Sequence, residues 1–142
     1  MHYAELASAR DELTGPGGPF EIVTADVLGR PGVRCFAHAP PSVREFWLST
    51  AAFADRPYIV YGEERLSYAE THAQVAALAS WLAAQGVTPG ERVAIAMRNY
   101  PEWLVAYWAC VASGIVVVGM NAWWTAEEMA YGLTDSAPRV LI

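Results

Sequence analysis

Carboxylate pairs stand at Glu63–Glu64 and Glu127–Glu128, and paired carboxylates can divide the acid and base roles of a hydrolytic or transfer reaction. Adjacent residues on a turn or a helix point apart, so both pairs read as solvated surface. His2, His38 and His72 are scattered singly, with no companion at metal-ligand spacing. Ser42, Ser67 and Thr125 could act as nucleophiles, yet no Gly-x-Ser-x-Gly frames either serine. Each instead has a glutamate three residues on (Glu45, Glu70, Glu128), which is the capping-box pattern. Cys35 and Cys110 form no close-spaced pair. They read either as a disulfide or as two thiols in a reducing compartment, and the apolar helix pattern around Cys110 favours a buried thiol. All nine basic residues are arginines. The chain therefore holds no phosphate-loop, Schiff-base or catalytic lysine. Trp123–Trp124 lies just past the C-terminal end of a predicted strand, where open parallel sheets hold ligands; packing against further chain is the plainer alternative. Residue types alone thus assign no catalytic, cofactor-binding or metal-binding residue.

The elements that would position such groups are clearest from Glu91 onward. Glu91-Arg-Val-Ala-Ile-Ala-Met97, Gly114-Ile-Val-Val-Val-Gly119 and Arg139-Val-Leu-Ile142 are short apolar runs rich in β-branched residues. They alternate with helical patterns opened by Pro101 and Thr125, which is how parallel strands joined by crossover helices read. Parallel strands buried on both faces are expected at Arg92–Met97, Ile115–Val118 and Arg139–Ile142. The helix from Glu102 to Ser113 is apolar over most of its circumference and must be covered on more than one side. Asn99-Tyr-Pro-Glu102 is expected to cap it.

Upstream, Met1–Leu13 reads as a short helix ended by the Gly/Pro run Thr14–Pro19, which lacks the following helix and lysine of a phosphate cradle. Phe20–Ala25 and Val33–Ala37 read as a hairpin turning at Gly29-Arg-Pro-Gly32. Ser42 opens a helix expected to bury Val43, Phe46, Trp47, Thr50 and Phe53 on one face. A second hairpin turns at Gly62-Glu-Glu64. Ser67 opens a helix burying Val75, Leu78, Ala79 and Leu82, closed by Gly86 as a left-handed cap.

Hydrophobic residues make up 54% of the 142-residue chain and charged ones 17%, so heavy burial is expected and disorder is not. A net charge of −6 argues against a nucleic-acid partner. Trp103–Ala126 is free of charge for long enough to span a bilayer. The Ser113-Gly114 break, the valine run and the flanking acidic residues favour a buried helix followed by a buried strand, and no transmembrane segment is expected. The N-terminus lacks a basic start followed by an apolar core, so no signal peptide is expected. The last strand pattern ends at Ile142 with nothing after it to cover it, and the segment is expected to be the first part of a larger enzyme.

Arg65-Leu-Ser-Tyr-Ala-Glu70, Gly86-Val-Thr-Pro-Gly-Glu-Arg-Val-Ala94, Asn99-Tyr-Pro-Glu102 with the helix running to Ser113-Gly-Ile-Val116, and Asn121 followed by Thr125-Ala-Glu-Glu-Met129 occur in this order. Together they resemble the N-terminal part of the AMP-forming acyl-CoA synthetases, in the adenylate-forming superfamily with luciferases and peptide-synthetase adenylation domains. The resemblance covers about residues 42–142. It implies an α/β fold: an incomplete parallel sheet with crossover helices, preceded by hairpins. Residues 1–41 would be an N-terminal extension carrying a hairpin, and 42–142 the beginning of the large N-terminal domain. The implied reaction joins a carboxylate, expected to be a fatty acid, to CoA through an acyl-adenylate. ATP, Mg²⁺ and CoA are thereby implied for the full-length enzyme, and none is expected to be bound by this segment, which alone should be inactive. The implied partners are the remainder of the synthetase chain and a carboxylic acid substrate. The implied location is the cytoplasm, with peripheral membrane association left open. A free-standing structural module of the same fold and an adenylation or luciferase-like enzyme are the alternatives. One departure stands out: where relatives commonly read Pro-hydrophobic-Asn-Pro before the threonine, this chain has Gly119-Met-Asn-Ala122 and then two tryptophans.

Overall fold

A computed structural model describes residues 3–142, so Met1 and His2 of the first expected helix lie outside the described residues. The chain divides into two compact units, Met1–Pro41 and Ser42–Ile142. In the first, helix α1 (Tyr3–Thr14) buries none of its residues. Strands β1 (Ile22–Val27) and β2 (Arg30–Phe36) pair antiparallel. The turn between them is tighter than Gly29–Gly32: Val27 pairs with Arg30, leaving Leu28 and Gly29 as the loop. Both have positive φ, 50° and 77°, as the two-residue turn that matches strand twist demands. Glycine adopts that backbone freely; leucine does so at a cost.

The second unit begins with α2 (Val43–Ser49), which tightens into a 3-10 turn at Thr50–Phe53. Ser42 accepts a hydrogen bond from the Glu45 N–H, as a helix cap should. Of the expected buried face only Trp47 and Thr50 are buried, whereas Val43, Phe46 and Phe53 are exposed. Phe46 and Phe53 each keep one aromatic neighbour at the rim of the core, Trp108 and Tyr68 respectively, and remain open to solvent on their other side. Strands β3 (Pro57–Tyr61) and β4 (Glu64–Ser67) form the second hairpin. Helix α3 (Tyr68–Ala84) follows from the full capping box of Ser67 and Glu70. It buries Thr71, Val75 and Leu82, with Leu78 and Ala79 partly covered.

The sheet comprises β5 (Arg92–Ile95), β6 (Val116–Gly119) and β7 (Val140–Leu141) in the order β6-β5-β7, both pairings parallel. Helix α4 (Pro101–Ala112) links β5 to β6, and α5 (Ala126–Ser136) carries the chain from β6 across to β7. The two connections step in opposite directions along the sheet. Right-handed crossovers therefore send α4 and α5 to opposite faces.

On the α4 face, Val93, Val105, Ala109, Cys110 and Ile115 join Trp47, Val75 and Leu82 in one core. Burial there pushes the Cys110 thiol up to about 11; it and Cys35 are both free thiols. On the α5 face, cover is thinner. Central strand β5 is buried on both sides through Val93, Ala94 and Ile95, but Val116 of β6 and Leu141 of β7 are exposed. Burial on both faces, expected for all three strands, holds only for β5, the central strand, because β6 and β7 are the sheet's edges and α5 packs too loosely to bury any of its own residues. Helix α4 meets its expectation better, with Glu102 the one exposed residue along it. Asn99 is not its cap. Pro101 stands in the first turn, which places Tyr100 at the cap without a side-chain hydrogen bond. Among the described residues no helix is long and apolar enough to cross a membrane.

Candidate functional site

A topological switch point follows from the strand order. The loop leaving the C-terminal end of β5 turns to α4 on one face, and the loop leaving the adjacent β6 turns to α5 on the other. Between two such loops an open α/β sheet has a built-in crevice, the usual place for a ligand. This chain has one there, about 630 Å³ in volume. Met97, Arg98 and Asn99 line it from the β5 side, Gly119–Trp123 from the β6 side, and Trp103 from the first turn of α4.

Backbone pairing fixes both walls. The Met120 N–H donates to the Ile95 carbonyl at 3.0 Å, and the Ala96 N–H to the Ile142 carbonyl at 2.8 Å. The Asn121 side chain accepts from the Trp123 N–H at 2.9 Å, the Asx turn that sets the direction of the tryptophan pair. Thr125 and Glu128 then make a complete capping box at the start of α5, and these hydrogen bonds hold the Glu128 carboxyl below its ordinary range. Trp124 leaves the crevice and packs on α5 at Gly132, where an added Cβ would come within 2.8 Å of its ring. At the far end of α5, the Arg92 guanidinium donates to the Ser136 carbonyl, a cation at the helix C-terminus.

Trp123 and Arg98 form the distinctive contact. The Arg98 guanidinium carbon sits 4.0 Å from the centre of the Trp123 ring, a cation–π geometry. Trp123 is 72% exposed even so. Trp103 stacks on Tyr107 at 5.5 Å and 10° and adds a second indole to the wall. The crevice thus joins one permanent cation, two carboxamides and two aromatic plates. It can bind an anion and a flat ring; it offers no general base and no nucleophile.

The other candidates read from the sequence do not gather here. Glu63 and Glu64 lie at the exposed turn of the β3–β4 hairpin. Glu127 is exposed, and Glu128 is taken by its cap. Ser42, Ser67 and Thr125 are all helix caps. His38 is exposed. His72 lies at the edge of the core, half-buried: its ring stacks on Trp47 at 4.0 Å, and Trp47 stacks on Trp108 at 4.6 Å. The Thr50 hydroxyl donates to the Trp47 carbonyl at 2.6 Å, so the 3.0 Å contact between Thr50 and His72 makes Nε2 of the imidazole the donor. Burial lowers the His72 pKa, favouring that neutral ring.

Residues 46–142 match the family model of AMP-binding enzymes. The chain belongs to that family. It is 42% identical over 82 residues to feruloyl-CoA synthase from Amycolatopsis sp., an alignment covering 58% of this chain and 17% of that protein. It is 30% identical over 94 residues to long-chain-fatty-acid–CoA ligase from Bacillus subtilis, covering 66% and 17%. Among solved structures, the Klebsiella oxytoca NpsA N-terminal subdomain in complex with anthranilyl-AMSN superposes with a TM-score of 0.66 at 25% identity, over 70% of this chain and 26% of that one. The chain spans about one sixth of the length of these curated relatives.

An AMP-binding enzyme of the ligase type implies ATP, Mg²⁺ and CoA. The described residues do not compose a metal–triphosphate site by themselves. No three His, Cys, Asp or Glu side chains among them converge as ion ligands, and Arg98 is the crevice's single cationic lining residue. No step through the nucleotide is assigned to this chain.

Proposed function

We propose that this chain is the opening part of the large N-terminal domain of an AMP-forming carboxylate–CoA ligase, with residues 42–142 beginning that domain and residues 1–41 an extension to it. The family match over residues 46–142 carries this reading, and the similarity to two CoA-forming enzymes supports it. The full-length enzyme would condense a carboxylate with ATP to an acyl-adenylate, releasing pyrophosphate, and then transfer the acyl group to the CoA thiol. ATP and CoA are cytoplasmic metabolites, and the cytoplasm is the compartment proposed. The segment described here contributes scaffold and the crevice wall.

The acid is proposed to carry a sizeable apolar body, a fatty acid or an aryl acid, as the names of the relatives at 30% and 42% identity suggest. The test is expression of the complete reading frame and an assay of AMP release with palmitate, decanoate, ferulate and 3-hydroxybenzoate, with and without CoA. Acid-dependent AMP release that needs CoA for turnover is the expected result. Adenylate formed without thioester would move the protein to the adenylation-domain class. No acid-dependent AMP release from a folded full-length protein would overturn the proposal.

A further inference from the structure

We infer that the cavity between the β3–β4 hairpin and the loop leaving β5 is a binding site for an alkylammonium cation, with Tyr61 and Tyr100 as aromatic walls and Glu64 and Glu102 as counter-charges. The inference goes beyond the ligase reading and does not rest on it. The cavity is separate from the crevice at the switch point. It holds about 420 Å³ on the hairpin side of the β5 loop and shares only Met97 with that crevice.

The walls are two rings held at a corner. Tyr61 and Tyr100 meet at 5.7 Å between ring centres and 84° between planes. Tyr61 ends β3 and Tyr100 stands at the cap of α4, so each ring is carried by the end of a regular element. Both residues are exposed, so their ring faces are not spent on the core. The face of an aromatic ring is electron-rich, and a rounded cation set into a corner of two rings meets both faces at once. Met97 adds a polarizable thioether to the lining, and Pro101 an apolar surface.

Charge then selects the ligand. The lining holds two carboxylates and no cation, and among the described residues neither Glu64 nor Glu102 joins an ion pair. Arg65, the neighbour in sequence, turns its guanidinium to the Gly62 and Glu64 carbonyls instead, and Arg98 lies on Trp123. The start of α4 opposes a cation with about half a charge, against two full charges on the carboxylates. A bare metal ion suits the site poorly, because hard cations require six or more oxygen ligands and no three acidic, His or Cys side chains converge among the described residues. A planar guanidinium stacks on one ring at a time, whereas an ammonium wrapped in methyl groups touches both. Such a head occurs on free choline-type amines and on methylated lysine side chains, and separate probes distinguish these sources.

The test is ¹H–¹³C NMR titration of the 142-residue chain in about 0.15 M NaCl, which screens simple attraction to surface carboxylates beyond about 8 Å. The ring signals of Tyr61 and Tyr100 and the Met97 methyl signal are followed. The probes are choline, acetylated trimethyl-lysine amide, and the neutral isostere of choline in which a tert-butyl group replaces the trimethylammonium. A charged probe is expected to shift all three sets of signals with a dissociation constant of roughly 1–10 mM. It should bind about tenfold more tightly than the isostere, which loses both cation–π contacts with the charge. The tighter of the two charged probes identifies the source of the cation, free or carried on a peptide. Tyr61→Leu should weaken binding about two- to fivefold, while Tyr61→Phe, which keeps the ring face, should hold it within about twofold. Glu64→Gln combined with Glu102→Gln should weaken it about fivefold. Trp123→Ala, in the crevice, should leave it unchanged, with near-UV circular dichroism confirming that each variant is folded. Equal binding of the isostere, unchanged affinity in folded Tyr61→Leu, an equal loss in Trp123→Ala, or no shift with either charged probe at about 30 mM would each overturn the inference. None of these results bears on the AMP-release assay, so the ligase reading stands or falls separately.

Discussion

Replacing Trp47 by alanine should remove a large share of the stability of the Ser42–Ile142 unit. Trp47 is 1% exposed, and its indole is flanked by Trp108 at 4.6 Å and His72 at 4.0 Å, both within 14° of parallel. Truncating a buried tryptophan costs about 3–5 kcal/mol, and each aromatic pair contributes about 0.5–1.5 kcal/mol of that beyond burial. The loss should sit at the upper end of that range, because neither neighbour can collapse into the space. His72 is tied to Thr50, and the Trp108 Nε1–H donates to the Tyr58 hydroxyl at 2.7 Å. A domain's margin is about 5–15 kcal/mol. For a unit of about 100 residues, the change corresponds to a drop in Tm of roughly 14–24 °C. Thermal melts followed by near-UV circular dichroism measure it, with Trp81→Ala as the control. Trp81 is 48% exposed and should cost under about 1 kcal/mol. A Trp47→Ala protein melting within about 5 °C of the parent, a loss of only about 1 kcal/mol, would refute the claim that this ladder organises the core.

Three further outcomes follow from single sites. His72 has a lowered pKa through burial, so the folded chain binds fewer protons than the unfolded one just below pH 6.5; the stability it contributes is complete above that pH and falls away as the pH drops toward the folded-state value. Denaturant midpoints between pH 7 and 5 should show that slope in the parent and lose it in His72→Phe, which keeps a ring against Trp47. Leu28→Asn in the β1–β2 turn should stabilise the hairpin by about 1 kcal/mol, because asparagine tolerates the φ of 50° that leucine strains to adopt; slower amide exchange at Val27 and Arg30 is the readout. Thr125→Ala should cost about 1 kcal/mol through the lost cap. It should also let the Glu128 carboxyl, held low by its hydrogen bonds to Thr125, titrate nearer 4.5, seen in an NMR titration; in the parent that contribution is present above about pH 4.5 and lost as the pH falls through the lowered value.

The fold was legible where side-chain periodicity and caps agree. Three apolar runs and two helix openings suffice for a parallel sheet, and Ser67–Glu70 and Thr125–Glu128 announce their helices correctly. Local rules misled where two of them compete. Gly29-Arg-Pro-Gly32 looks like a turn by composition, but a two-residue loop lets the flanking strands keep their twist, and the chain accepts a leucine at positive φ to obtain it. Asn99 looks like a cap, but proline in the first turn fixes where the helix starts and hands the position to Tyr100. The buried face expected of α2 counts every apolar residue of the stripe as covered, whereas only Trp47 and Thr50 reach the core and Phe46 and Phe53 stop at its rim.

The crevice was half legible for a topological reason. Trp123 draws attention because it follows a strand. Arg98 does not, because nothing in its residue type or spacing sets it apart from the chain's other arginines. What makes Arg98 a partner for Trp123 is that the chain leaves β6, crosses β5 and lays β7 on the far side, and strand alternation alone cannot reveal that order. Once the order is known, the pairing follows from rigid parts. β5 is buried on both faces, and its last residues hydrogen-bond to Met120 on one side and Ile142 on the other, so its loop cannot slide against the β6 loop. The β6 loop is pinned at its near end by Asn121 and at its far end by Trp124 on Gly132. The 4.0 Å contact between Arg98 and Trp123 is therefore set by strand register and helix packing rather than by attraction between two exposed side chains. Such a cation–π pair contributes only about 0.5–1 kcal/mol at the surface, too little to hold two free loops together but enough to orient a guanidinium between two loops already in place.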